Sequence, residues 1–427
     1  MEIIVACCAG IDVHKKRVSV CVRRVGPTGR VTNKLREFGT MTGDILALGD
    51  WLAKYDVSQV AMESMGVYWK PLWNLLEDRF TLLLCNPREV KQVPGRKTDT
   101  RDCQWLAQLL QYGLLRSSFI PPRPQRELRD LTRHRAQVVG EKTRAANRIQ
   151  KVLEDANIKL ASVASDVMGK SGRMMLEAII SGEEDPKRLA DLAQRKMRAK
   201  IPELRRALRG GVTEHHRYML RTLYDHVQYL EKTIAGLNEH IALVLGCDEL
   251  NEERSQGEAA VPFAEAQALL ETVPGIDTCA ARTILAETGT DMSRFPTPGH
   301  FASWAGLCPG NNESAGKRKS GKTTHGNRWL KRVLTQSAWA ASHTKDTYLS
   351  AQYRRLAARR GKKRALVALA HSIQVSIYAM LEQRVTYTDL GPEHFQTIAP
   401  HKRAKHLKRQ IEKLGYAVTI EELEHVA

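Results

Sequence analysis

The sequence predicts an α/β domain followed by a mainly helical remainder, the α/β plus α class. Up to residue 122, short apolar runs rich in β-branched residues alternate with helical periodicities. From 123 to 258 the apolar residues recur at steps of three and four, without strand-like alternation. Helical segments of 259–384 are then joined by a Pro-Gly turn and a long polar loop, and 385–427 form a basic, partly helical tail. A chain of 427 residues exceeds one typical domain, and its 42% hydrophobic content suffices for two or three cores.

In the first domain, Ile3-Ile4-Val5 leads into Gly10-Ile11-Asp12-Val13 as the first strand. A Lys/Arg turn follows, and the alternation of Val18, Val20 and Val22 predicts a half-buried second strand. A third strand spans Val31 to Phe38 and a helix Asp44 to Lys54. The run Val57 to Ser64 reads as a buried strand ending on Glu63, before a helix carrying Trp69, Leu72, Trp73, Leu75 and Leu76. The strand Thr81 to Asn86 opens into a loop, Pro87 to Thr98, rich in Lys, Arg, Pro and Gly. Trp105, Leu106, Leu109 and Leu110 then recur at helical spacing, with Thr98 as N-cap and Asp99 and Asp102 in the first turn.

Asp99 and Asp102, three apart, share a helix face, where two carboxylates repel unless a cation lies between them. Asp12 stands inside an apolar run, where a carboxylate needs a partner. Each acid has a plain structural alternative: preference for a helix N-terminus, or a hydrogen-bonded turn. Taken together, Asp12, Glu63, Asp99 and Asp102 reproduce the layout of an RNase H-like or RuvC-like nuclease core, in which distant acids meet at one rim of the sheet. Such acids hold divalent ions against a phosphodiester. Lys91, Arg96, Lys97 and Arg101 supply cations nearby.

The formal charge of +19 and pI of about 9.6 are spread over most of the chain. That field favours a polyanionic partner, most simply nucleic acid, over a small neutral substrate. The alternative is a solvated basic surface. The eight cysteines form no C-x-x-C pair and sit among apolar neighbours, so they read as reduced core residues, not zinc ligands. Met1 to Ala6 shows no basic n-region or cleavage site, and no apolar run approaches a membrane span. The expectation is a cytoplasmic protein at the nucleoid, with no membrane partner.

After Pro121-Pro122-Arg123-Pro124, a helix from Gln125 to about Asp155 carries Leu128, Leu131, Val138, Ile149, Val152 and Leu153 against many cations. A second region, from about Glu203 to Leu245, carries the heptad run Leu220, Leu223, Val227, Leu230, Ile234, Leu237, Ile241 and Val244. That coiled-coil seam suits either a dimer zipper or a hairpin with the first long helix. An acidic linker, Cys247 to Glu258, follows.

Leu270 to Ala281, centred on Val273-Pro274-Gly275-Ile276, is helix-hairpin-helix-like, and the amides around Gly275 suit a DNA phosphate. Phe301 to Pro309 opens a flexible basic loop, Gly310 to Lys322, before a helix with Trp329, Leu330, Val333 and Leu334. Within the loop, Ser314 is followed by Lys317, Arg318, Lys319 and Lys322. A serine backed by cations suits nucleophilic attack on phosphate, and the alternative is a loop that only grips DNA. The helix Arg364 to Gln383 reads as core packing, and Arg403 to Ala427 as a basic tail.

Five separated motifs, Gly10-Ile11-Asp12-Val13-His14-Lys15, Met62-Glu63-Ser64-Met65-Gly66, Lys97-Thr98-Asp99-Thr100-Arg101-Asp102, Val273-Pro274-Gly275-Ile276 and Ala305-Gly306-Leu307-Cys308-Pro309 with Ser314-Ala315-Gly316-Lys317, occur in that order. In this the chain resembles the DEDD transposases of bacterial insertion sequences, the recombinases guided by a bridge RNA. The resemblance implies a RuvC-like domain (1–122) with the acids Asp12, Glu63, Asp99 and Asp102 holding Mg2+, or Mn2+ in its place. It further implies a coiled-coil middle (123–258) and a C-terminal transposase domain (259–384) with a catalytic serine. That serine falls on Ser314, with Ser320 as the rival; Ala315 replaces the first glycine of the family's Ser-Gly-Gly-Lys.

The implied reaction is cutting and rejoining of DNA through a covalent phosphoserine, with Lys97, Arg101, Gly275, Lys317, Arg318, Lys319 and Lys322 on nucleic acid. The implied partners are element-end and target DNA, a guide RNA and further copies of the chain, as dimer or tetramer, with acids and serine drawn from different protomers. Two other readings keep the basic surface: a RuvC-like junction endonuclease that hydrolyses with metal and no serine, and a non-catalytic nucleic-acid-binding protein. Four retained acids argue against the pure binder, because negative charge facing phosphate weakens binding.

Overall fold

The computed structural model describes residues 3–26, 29–63, 66–93, 102–246, 261–310, 312–314, 317–397 and 400–420. They divide into two compact units, Met1–Arg123 and Pro124–Ala427.

The first unit is built on a mixed five-stranded sheet of β1 (Cys7–Val13), β2 (Val18–Val25), β3 (Val31–Phe38), β4 (Gln59–Glu63) and β5 (Thr81–Cys85), in the order β3-β2-β1-β4-β5. β1, β2 and β3 form an antiparallel meander, and β4 and β5 add parallel to β1. Helices α1 (Thr42–Ala53), α2 (Trp69–Leu76), α3 (Pro87–Gln92) and α4 (Asp102–Gln111) complete the unit. Period-two alternation sorts the strand residues between two cores. Ala9, Ile11, Val13, Val60, Met62 and Leu84 join Ile45, Leu48, Leu72 and Leu76 of α1 and α2. Cys8, Ala61 and Cys85 face Trp105, Leu106, Leu109 and Leu110 of α4.

The RNase H-like expectation for this unit agrees with the observed mixed sheet and its helices. Two local expectations need correction. Ile3-Ile4-Val5 is not part of β1; the amides of Ile4 and Val5 instead donate to the Gln111 carbonyl at the end of α4. The start of the loop expected from Pro87 folds as α3, which buries Val90, with Pro87 opening the helix where its missing N–H costs nothing.

In the second unit α5 (Arg123–Asp155) is followed by α6 (Leu160–Val163), α7 (Lys170–Ile180), α8 (Pro186–Asp191), α9 (Ile201–Ala207) and α10 (Glu214–Gly246). The region from Glu203 to Leu245 holds two helices, α9 and α10, parted at the Gly210-Gly211 pair, and the whole heptad run lies in α10. α5 and α10 run antiparallel. Ala145, Ile149 and Leu153 pack with Leu220, Tyr224 and Val227, while Leu128 at the other end packs with Ile241 and Leu245. Rungs between Asp155 and His216 (3.0 Å), Lys142 and Glu231 (3.5 Å), and Arg135 and Asn238 fix the register. Of the two partners the heptad run suits, the one it meets here is the long helix of the same chain. The acidic linker lies outside the described residues.

Beyond it come α11 (Phe263–Glu271), α12 (Thr278–Thr288), α13 (Pro298–Trp304), the hairpin β6 (Asn312–Ser314) and β7 (Lys317–Ser320), α14 (Arg328–His343), α15 (Tyr348–Arg360), α16 (Lys362–Gln383), α17 (His394–Thr397) and α18 (Pro400–Glu412). Their core joins Phe301, Leu330, Leu334, Leu369, Ile373 and Ile377 to Leu128, Ile241 and Leu245 of the α5–α10 pair. The expectation that no apolar run reaches membrane length is corrected by α16, which is long and apolar enough by length and composition. Its Ala365, Leu369, Ile373 and Ile377 are buried in this core, and Gln374 Nε2 donates to the Phe301 carbonyl at 2.9 Å, so it is a core helix.

Candidate active site

β4 continues the register Ile11↔Met62 along β1, so Asp12 and Glu63 stand level at the carboxyl ends of adjacent parallel strands. Both share the parity of Cys8, Gly10 and Ala61, and so belong to the sheet face that α4 covers. Gly10 sets how closely α4 approaches. A Cβ there would lie 2.2 Å from the Cys103 carbonyl oxygen and 2.4 Å from the Ala107 amide nitrogen, so only glycine admits the helix backbone. Cys8 Sγ completes the seam by donating to the Ala107 carbonyl at 3.3 Å. The residue before Cys103, opening α4, is the solvent-exposed Asp102.

Asp12 is 16% exposed, and its Oδ2 lies 3.1 Å from His14 Nε2. The His14 amide donates to the Arg17 carbonyl and closes the β1–β2 turn. His14 is thus a neighbour of the candidate site that sequence reasoning quoted but gave no role; residue type and spacing alone do not reveal such a contact. Asp99, Lys97 and Arg101 lie outside the described residues. Among the described residues no three His, Cys, Asp or Glu side chains converge as a metal cluster. The donor set of Asp12, Glu63 and Asp102 offers only carboxylate oxygen, which suits a hard cation such as Mg2+ or Mn2+. The seven described cysteines are free thiols. Burial pushes the Cys8 and Cys21 thiols up to about 12, as for neutral thiols in an apolar core.

The polar loop expected over Gly310 to Lys322 is instead a two-stranded hairpin with Ser314 paired to Lys317 across its end. Its polar residues give no apolar alternation, and backbone bonds hold it. The Gly310 amide donates to the Lys322 carbonyl at 2.8 Å, the Thr324 amide to the Cys308 carbonyl at 3.2 Å, and Pro309 bridges to Thr323. Lys317, Arg318 and Lys319 follow in β7, and Lys322 is exposed at its end. Ser320 Oγ accepts from the Lys322 amide at 3.2 Å.

Gly275 has φ +89°, and a Cβ there would lie 2.4 Å from the Ser337 carbonyl oxygen of α14. The turn that sequence reasoning assigned to phosphate contact therefore has a packing role between α11, α12 and α14. A node missed by sequence reasoning lies at the other end of α12. Glu287 of α12 has no exposed surface, yet it is ionically paired: Arg133 Nε and Nη2 donate to its two oxygens at 2.7 and 2.8 Å, and Arg129 Nε lies 3.4 Å away. Asn327 Nδ2 donates to the same carboxylate at 2.6 Å, while Asn327 Oδ1 caps α14 by accepting from Trp329 and Leu330 amides. Arg129 also donates to the Ala286 and Glu287 carbonyls that end α12, and burial lowers it to about 10. One carboxylate thus joins α5, α12 and the start of α14 immediately after the serine hairpin.

Comparison with known proteins gives two matches. Residues 9–158 match the DEDD transposase model of the IS110 type, and residues 267–354 match the transposase family IS116/IS110/IS902. The chain belongs to the IS110 family of insertion-sequence transposases. The first match contains Asp12, Glu63 and Asp102 with the node's Arg129 and Arg133, and the second contains Ser314, Glu287 and Asn327. The transposase for insertion sequence element IS1111A of Coxiella burnetii is 24% identical over 309 residues, 71% of this transposase and 72% of the relative. A 43.6 kDa protein of insertion element IS110 from Streptomyces coelicolor is 32% identical over 149 residues, 36% of its length. Protein y4qE of Sinorhizobium fredii is 24% identical over 396 residues, 84% of each chain.

Proposed function

We propose that this transposase cuts and rejoins DNA through a covalent phosphoserine formed on Ser314. The observation that carries the reading is the level placement of Asp12 and Glu63 on adjacent parallel strands, under a helix that opens with Asp102. Asp12, Glu63, Asp99 and Asp102 would hold the divalent cation, Mg2+ or Mn2+, whose positive charge counters that of the phosphate at the transition state. Ser314 Oγ attacks phosphorus, a phosphoserine ester forms, and the P–O bond to the leaving sugar breaks. The serine proton is lost and the leaving oxygen ends as a hydroxyl. Attack by a sugar hydroxyl on that ester rejoins the strands and frees the serine. His14 holds one oxygen of Asp12 and fixes the orientation of the carboxylate.

Lys317, Arg318, Lys319 and Lys322 lie beside the serine in the chain and would bind the phosphates next to the reacting one, with Lys97 and Arg101 doing so beside the acids. Gly275 is the further expected DNA contact. The proposed partners are the element ends, a target chosen by pairing with a bridge RNA, and further copies of the chain in a dimer or tetramer acting at the nucleoid. Pairing, not protein contacts, would then read the target sequence.

The purified transposase is incubated with DNA spanning the element junction, with and without its flanking transcript and Mg2+, and resolved on a denaturing gel. A protein-linked strand requiring RNA and metal supports the guided serine reaction. Cleavage with free ends and no adduct supports the metal-only endonuclease, and binding without cleavage supports the non-catalytic binder.

A further inference from the structure

The outer face of α14 carries a groove of about 540 Å³ lined by Arg328, Lys331, Arg332, Thr335, Gln336 and Trp339, with Leu366 of α16 as its opposite wall. These α14 residues recur at steps of three and four, so they form one stripe along about 16 Å of helix. The opposite stripe, with Leu330, Val333, Leu334, Ser337 and Ala338, is the one that faces the core. The groove side of the helix is therefore under no packing demand that would place a tryptophan there.

Trp339 is 54% exposed, a large apolar surface for a residue that usually buries its ring. Its indole is nevertheless held: the His343 ring lies 4.3 Å away, tilted by 55°, and His343 Nδ1 is 2.8 Å from the Trp339 carbonyl. Three cations accompany it along the stripe. Among the described residues no ion pair engages Arg328, Lys331 or Arg332. Lys331 Nζ donates to Thr323 Oγ1 at 2.5 Å, which ties the stripe to the base of the hairpin that carries Ser314. Gly361 separates Arg359 and Arg360 from Lys362, Lys363 and Arg364, adding five more cations to the turn that leads into the groove's other wall.

We infer that this groove binds single-stranded nucleic acid, with an unpaired base stacked on Trp339 and the strand's phosphates on Arg328, Lys331 and Arg332. Anionic backbone matches the unneutralised cations, and the exposed indole face matches a base that has left its duplex. A paired base hides its faces in the stack, so a duplex would use the cations and leave the indole idle. The inference goes beyond the serine chemistry and does not depend on it.

The test uses the full-length protein in chelator, so that no strand is cut, and reads fluorescence anisotropy of labelled 20-nucleotide single-stranded DNA, single-stranded RNA of the same sequence, and the DNA duplex. Trp339→Ala is expected to weaken single-strand binding about tenfold, the size of one lost stacking contact, and to leave duplex binding within twofold. Trp339→Tyr restores most of the affinity, because a smaller ring still stacks. Arg332→Gln lowers the salt dependence of single-strand binding by about 0.7 in log–log slope. Loss on RNA alone, DNA alone or both identifies the strand that occupies the groove, and each supports the assignment. Equal losses on single strand and duplex, no loss at all, or a loss only of self-association by sedimentation would each overturn it. The variants are first matched to wild type in thermal melting; should Trp339→Ala melt lower, Trp339→Gln, a neutral polar side chain suited to an exposed helix position that likewise removes the stacking ring, replaces it with the same expectation.

Discussion

Gly10 and Cys103 meet backbone to backbone: a Cβ on the glycine would lie 2.2 Å from the cysteine carbonyl oxygen. Through that contact the strand bearing Asp12 fixes the helix that begins at Asp102. Gly10→Ala is expected to force α4 outward and cost about 1–3 kcal/mol of stability, since backbone offers no flexible end to yield. Strand transfer should fall further than stability alone accounts for, because the two acids separate. Gly43→Ala is the control: a Cβ there, near the start of α1, meets nothing within 4 Å, and the melting temperature should hold or rise.

The Glu287 carboxylate is a second fixed point. Glu287→Gln keeps its shape but removes the charge that pairs Arg129 and Arg133. An uncompensated buried guanidinium costs about 3–5 kcal/mol, so the melting temperature should drop by on the order of 10 °C in calorimetry. An unchanged melting temperature would show that the node does not hold the second unit together.

Acid should loosen the α5–α10 pair at one identifiable place. Hydrogen bonds from Arg173 (2.6 and 2.9 Å), with Lys142 nearby, hold the Glu231 carboxyl below its ordinary range. The folded protein therefore binds this proton less readily than the unfolded chain. Its contribution is complete above the ordinary glutamate value of about 4.3 and is lost as pH falls through the lower folded value. Melting temperature measured between about pH 7 and pH 3 should fall less steeply in Glu231→Gln than in wild type.

Much of this was legible in the sequence, for physical reasons. Asp12 and Glu63 end apolar runs, and a strand's period of two fixes which face each residue takes, so the sheet and its acids could be read directly. The hairpin that holds Ser314 could not be read, because its strands are polar and held by backbone bonds. Glu287 sits in a helical pattern that reads as an ordinary exposed acid; only α5, more than 150 residues earlier in the chain, makes it a buried ion pair. Leu220 to Val244 showed a seam without naming its partner, since a heptad repeat is the same whether a zipper or a hairpin covers it. Trp339 fell on the face of α14 opposite the apolar stripe, and its groove needs Leu366 from another helix.

The proposed reaction depends most on Ser314 as the nucleophile. After reaction with junction DNA, the protein-linked strand is trimmed by nuclease, the transposase is digested, and the nucleotide-bearing peptide is sequenced by mass spectrometry. The expected result is a nucleotide on Ser314, and no adduct from Ser314→Ala. A nucleotide on Ser320, or a normal adduct yield from Ser314→Ala, would contradict it.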